Sequence, residues 1–131
     1  RCTMLNFITR YHSYKIGMEY TIDATGKALG RVASEAAKIL LAKNTTTIKK
    51  NVVANVTVRV KNVSALNISE KKRMEKAYHA HSGYPGSDRS ISLAHIIATK
   101  GAREALRRAV SGMLPKNTLR EKRLKQLIIG E

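Results

Sequence analysis

The stretch MEYTIDATGKALGRVASEAAKILLA, residues 18–42, decides the fold. Met18 to Asp23 reads as a short strand that ends in a turn at Ala24-Thr25-Gly26. Leu29, Val32, Ala33, Ala36, Ile39 and Leu40 then recur at helical spacing, with Arg31, Ser34, Glu35 and Lys38 between them. This predicts a helix over 29–42. Its apolar stripe is rich in Ala, which predicts close packing against a sheet. Arg31 and Lys38 lie seven apart, on one exposed face of that helix.

Downstream, Asn44 to Thr47 is loop-like. Ala54, Val56, Val58 and Val60 then alternate with Asn55, Thr57, Arg59 and Lys61. Period two with β-branched residues predicts a strand with one face in the core. The charged stretch from Ser69 to Lys76 reads as a turn or hairpin tip, and Ala77 to His81 as a further strand. Ser82-Gly83-Tyr84-Pro85-Gly86 is a loop by composition. Ser90 is placed to cap a helix over 91–99, and Lys100-Gly101 interrupts it. A second helix over 102–111 puts Ala102, Ala105, Leu106, Ala109 and Val110 on one side and Arg103, Arg107 and Arg108 on the other. Gly112 fits its C-terminal cap, and Pro115 ends any continuation. Asn117 or Thr118 starts a last short helix, and Ile128-Ile129 closes the pattern. Strand, helix, strand and then mixed elements make an α/β domain over 18–131, preceded by a basic arm over 1–17.

With 131 residues the chain has the length of one domain, and 43% hydrophobic residues are enough for a core. Its charge is unusual: 25 Lys and Arg against 9 Asp and Glu, a formal net charge of +16. The excess runs along the whole chain, so this is not a neutral body with a basic tail. A compact body carrying it repels itself unless a polyanion neutralises it, and a phosphate backbone is the leading candidate. Cys2 is the only cysteine, which excludes an intramolecular disulfide and a cysteine-rich zinc site and fits a reducing compartment. Apolar runs are too short for a membrane-spanning helix. Aromatics are 5%, with no Trp, so a base-stacking platform is poorly supplied.

Three segments carry a resemblance: Ile22 to Ser34 (IDATGKALGRVAS), His81 to Gly86 (HSGYPG) and Ala109 to Asn117 (AVSGMLPKN). In this order and spacing the chain resembles the large-subunit ribosomal protein L-thirteen family, over roughly residues 7–131. The resemblance implies a three-layer α/β/α domain around a small, mainly parallel four-stranded sheet. It implies a structural constituent of the large subunit that packs on rRNA, acts early in assembly and supports translation. Its partners would be large-subunit rRNA and neighbouring ribosomal proteins, with no cofactor, small-molecule substrate or membrane. The implied location is the ribosome of the cytoplasm, with a mitochondrial or plastid ribosome as the alternative. Where the family has a second Gly after its Gly-Tyr-Pro-Gly loop, this chain has Ser87.

RNA duplexes are recognised through phosphates, 2′-hydroxyls and shape, which calls for basic side chains on rigid elements. Candidates on the first helix and its flanks are Lys27, Arg31, Lys38 and Lys43, followed by Lys49 and Lys50. The charged turn adds Lys71, Lys72, Arg73 and Lys76. In the strand and loop after it, His79, His81, Ser82, Tyr84 and Arg89 qualify, with Tyr84 available to stack on an unpaired base. Arg103, Arg107 and Arg108 offer forked donors, although Glu104 sits four before Arg108 and is placed to pair with it. Lys116, Asn117, Arg120, Lys122 and Arg123 complete the set.

Two other classes compete. Gly26 to Arg31 lies between a strand and a helix like a phosphate loop, but it has neither the dinucleotide glycine pattern nor the Lys-Ser/Thr ending, which counts against a nucleotide-binding enzyme. An RNA-binding regulator outside the ribosome would call for helix-turn-helix spacing or RNA-binding aromatic motifs, and neither is present. His79, His81 and His95 lack an obvious carboxylate or cysteine to complete a metal site, and no nucleophile–base set assembles. The expectation is a non-enzymatic protein.

Overall fold

The computed structural model describes residues 17–45 and 51–130. Most of the basic arm expected over 1–17, together with Lys49 and Lys50, lies outside the described residues. The elements run β1 (Met18–Asp23), α1 (Leu29–Leu40), β2 (Val56–Lys61), a 3-10 turn (Val63–Ala65), α2 (Glu70–Glu75), β3 (Ala77–Ala80), β4 (Arg89–Ser92), α3 (Leu93–Met113), α4 (Leu119–Lys125) and β5 (Leu127–Ile129).

β1 and β2 pair in parallel, with α1 as the crossover between them, and β5 pairs in parallel on the other side of β2. The α/β class and the parallel sheet are as expected. The sheet has three strands, however, in the order β1-β2-β5, and not four. β3 instead pairs antiparallel with β4 as a separate hairpin. Its sequence, Ala77-Tyr78-His79-Ala80, gives it nothing to bury on both faces as an interior parallel strand must.

The core forms where the Ala-rich stripe of α1 meets the sheet. Val32, Ala33 and Ala36 pack with Ile22, Val58 and Val60, and the second half of α3 adds Leu106, Val110 and Leu114. The opposite sheet face carries Glu19, Thr21, Asp23, Arg59, Lys61 and Ile128, all exposed. Among the described residues no helix covers that face, so the expected third layer is not formed by them. The alternation of β2 is the physical reason. A strand covered on both faces reads as a continuous apolar run, and Thr57, Arg59 and Lys61 break that run.

Helix assignments differ from the expectation, beginning with α1, which ends at Leu40 and not at 42. Residues 70–75 form a helix with no buried residue where a turn was expected. Ser92, and not Ser90, caps α3: its Oγ accepts from the His95 N–H at 3.3 Å, because Ser90 is taken up in β4 opposite His79. α3 continues through Gly112 to Met113. Pro115 disfavours helical geometry in the residue before it, and Leu114 is extended, so the helix stops without a glycine cap.

The interruption at Lys100-Gly101 is a kink inside α3, with Gly101 at φ 77°, ψ 174°. Side-chain-bearing residues essentially never adopt that geometry. Gly101→Ala is therefore expected to lower stability by about 1–2 kcal/mol, read as a reduced urea midpoint at unchanged m-value. An unchanged midpoint would mean the kink is not held in the folded state.

Candidate nucleic-acid interface

The turn between β1 and α1 is built around one carboxylate. Asp23 Oδ1 accepts from the Thr25 hydroxyl at 2.7 Å, the Thr25 N–H at 3.1 Å and the Asn62 side-chain amide at 3.0 Å. Asn62 follows β2, so these bonds tie the ends of two parallel strands together. Gly26, at φ 66°, then turns the chain into α1. The Thr25 hydroxyl, the Thr25 N–H and the Asn62 amide lower the Asp23 pKa from 3.8 to about 2. All three bonds favour the ionised form. Their stabilising effect is fully present above 3.8 and is lost as pH falls toward about 2. NMR titration of the Asp23 carboxyl should give a midpoint near 2, moved up toward 3.8 in Asn62→Ala. An ordinary midpoint in the unaltered chain would contradict the bonding described.

From this turn, Arg31 and Lys38 project from α1 and are exposed, as is Lys43 beyond its end. Lys27 pairs loosely with Glu35 at 3.8 Å. Ser34 Oγ lies 3.5 Å from Met113 Sδ, which seats the end of α3 against α1. Lys116 and Asn117, both exposed, follow directly from that contact.

The second basic surface lies along α2 and the hairpin. Lys71, Lys72, Arg73 and Lys76 are exposed, and Ser69, Lys71, Lys72, Glu75 and Lys76 line an open groove. Lys71 and Glu75 approach to 3.9 Å in a largely exposed pair of little energetic consequence. His79, His81, Ser82 and Arg89 are exposed, and Tyr84 stands at the loop tip, 75% exposed.

The loop organises itself. Gly83 (φ 93°) and Gly86 (φ 74°) take positive φ, and the Gly83 N–H donates to His81 Nδ1 at 2.9 Å. Ser87 Oγ donates to the Tyr84 carbonyl at 2.7 Å and accepts from the Ser82 N–H at 3.2 Å. Ser87 thus closes the loop, a role its sequence position did not disclose. No group of three His, Cys, Asp or Glu among the described residues could hold a metal ion.

On α3, Arg103 and Arg107 are exposed and make no ion pair among the described residues. Arg108 behaves differently. Its Nε donates to Glu104 Oε1 at 3.0 Å, the pairing that the spacing predicted, and its guanidinium lies 5.2 Å from the Tyr78 ring centroid. Lys76 Nζ lies 5.6 Å from the same centroid. Local sequence pattern gives no sign of the Arg108–Tyr78 contact, because the two residues lie far apart in the chain.

On α4, Lys122 is exposed and Arg120 half-buried. Arg123 is buried, at 4% exposure, and is removed from the phosphate-facing candidates.

Comparison with known proteins identifies the family. The family model described as Ribosomal protein L13 matches residues 18–129. The large ribosomal subunit protein uL13 of Natranaerobius thermophilus is 44% identical over 108 residues, covering 82% of this chain and 75% of that protein. Its counterpart in Dictyoglomus thermophilum is also 44% identical over 108 residues, with the same coverage. That of Staphylococcus saprophyticus is 40% identical over 110 residues, covering 84% of this chain and 75% of that protein. A family match that spans every described element, with relatives at 40% identity and above, makes this chain a member of the ribosomal protein L13 family.

Proposed function

We propose that the chain is a structural, non-enzymatic constituent of the large ribosomal subunit that binds rRNA through its phosphates. One observation carries the rRNA contact: the chain has a net charge of +16, and among the described residues exposed Lys and Arg side chains stand on α1 and α3 as well as on α2 and the hairpin. Such a surface fits the sugar-phosphate backbone of folded RNA. Arg31, Lys38, Arg103 and Arg107 would hold phosphates from the helical side. Lys71, Lys72, Arg73 and the Tyr84 loop would hold them from the other.

The basic arm, with Arg1, Arg10 and Lys15, adds further cations. Neighbouring ribosomal proteins are the second class of partner. A body this positively charged gains most from meeting RNA before other proteins cover it, which favours an early place in assembly. The relatives are bacterial proteins, which favours the ribosome of a bacterial cytoplasm over an organellar one.

Cosedimentation tests the reading. The tagged full chain expressed in its own cells should travel with large subunits through a sucrose gradient and resist a moderate salt wash. Recovery only in the protein-free top fractions would overturn it.

A further inference from the structure

The β3–β4 hairpin is small and stands apart from the main sheet. A two-stranded hairpin alone is marginal in water. It is anchored in two ways. Beside it, Leu93 and Ile96 are buried in the first half of α3, outside the main core cluster. The Leu93 N–H also donates to the Lys76 carbonyl at 2.8 Å. Both of these anchors precede the Gly101 kink. Glu104 and Arg108 follow it, on the half of α3 that packs into the core. The contact of Arg108 with Tyr78 therefore crosses the kink and joins the hairpin to the body.

We propose that Glu104, Arg108 and Tyr78 form a latch that fixes the hairpin, and with it the Tyr84 loop, in the orientation in which it meets rRNA. Arg108 is then a positioning residue and not a phosphate ligand. The charge arrangement separates it from its neighbours. Glu104 neutralises Arg108 at 3.0 Å, and both side chains are about two-thirds buried, at 31% and 28% exposure. A phosphate arriving there meets a closed ion pair, whereas at Arg103 and Arg107 it meets exposed cations. The guanidinium is also within the range at which an aromatic face attracts it. Partial burial strengthens that attraction, because less water competes for the cation.

The proposal rests on the rRNA reading above, so the experiment separates the two. Amide hydrogen exchange is measured on the free full chain, and binding of in vitro transcribed large-subunit rRNA is measured against salt. The variants are Arg108→Met, Tyr78→Leu, the two together, and Tyr78→Phe. Exchange of the hairpin amides should quicken about fivefold in each of the first two, and no further in the double variant. Tyr78→Phe keeps the aromatic face and should behave as the unaltered chain. Amides of β2 and α1 should stay protected throughout.

Binding should weaken by about the same factor in Arg108→Met and Tyr78→Leu, with the slope of log K against log salt unchanged. A slope lower by about 0.7–0.9 in Arg108→Met, with the hairpin still protected, would make Arg108 a phosphate ligand and overturn the latch. So would loss of β2 protection, since Arg108 would then be holding the whole domain. A flat salt response of the unaltered chain would instead overturn the rRNA reading, and the positioning role with it.

Discussion

Affinity for large-subunit rRNA is expected to fall about a thousandfold between 50 and 200 mM salt. The expectation follows from the kind of surface described. Each phosphate neutralised by Lys or Arg releases condensed counterions, and log K then falls by about 0.7–0.9 per contact for each decade of salt. Six contacts are a modest use of 25 basic residues, of which Arg31, Lys38, Lys72, Arg73, Arg103, Arg107 and Lys116 are all exposed. Filter binding of the full chain to transcribed rRNA, or to a partly assembled subunit where neighbours are needed, gives the slope directly. A response corresponding to one or two contacts would mean that most of this charge serves solubility, and the phosphate-based account would fail.

The sequence discloses this architecture where local pattern and burial agree. β1 and α1 are legible because Leu29, Val32, Ala33, Ala36 and Leu40 fall on one helical stripe and all end in the core. The kink at Gly101 is legible because a glycine in an otherwise helical pattern marks a break. α2 is hidden for the opposite reason: it buries nothing, so it leaves no stripe to read. The open sheet face is a subtler case. The alternation of Thr57, Arg59 and Lys61 with three valines already indicates one solvated face. Family resemblance implied a layer on each side, and for the described residues the local pattern is the better guide.

The candidate interface divides in the same way. The Glu104–Arg108 pair is legible from spacing alone, since residues four apart share a helix face. The Tyr78 contact is not, because it depends on how the hairpin folds back onto α3. Arg123 shows the limit of composition: a basic residue counts as surface until the fold buries it.

Arg103→Glu combined with Arg107→Glu is expected to weaken rRNA binding about a hundredfold at moderate salt, through two lost contacts and two new repulsions. The contacts among the described residues give these arginines no stabilising role. Ala105, Leu106 and Val110 carry the burial of this half of α3, and neither arginine is ion-paired among the described residues. Four apart on one helix, they repel each other slightly. Replacing both with Glu exchanges one like-charged pair for another, so thermal stability should change by no more than about 0.5 kcal/mol. Incorporation into large subunits in cells should be strongly reduced against the unaltered chain. Lys125→Glu serves as the comparison, since it alters one exposed cation on α4 that is not among the candidate contacts and leaves α3 intact. Normal incorporation of the double variant would remove α3 from the interface. Unfolding of the double variant would show that these charges hold the domain together, against every contact described for them.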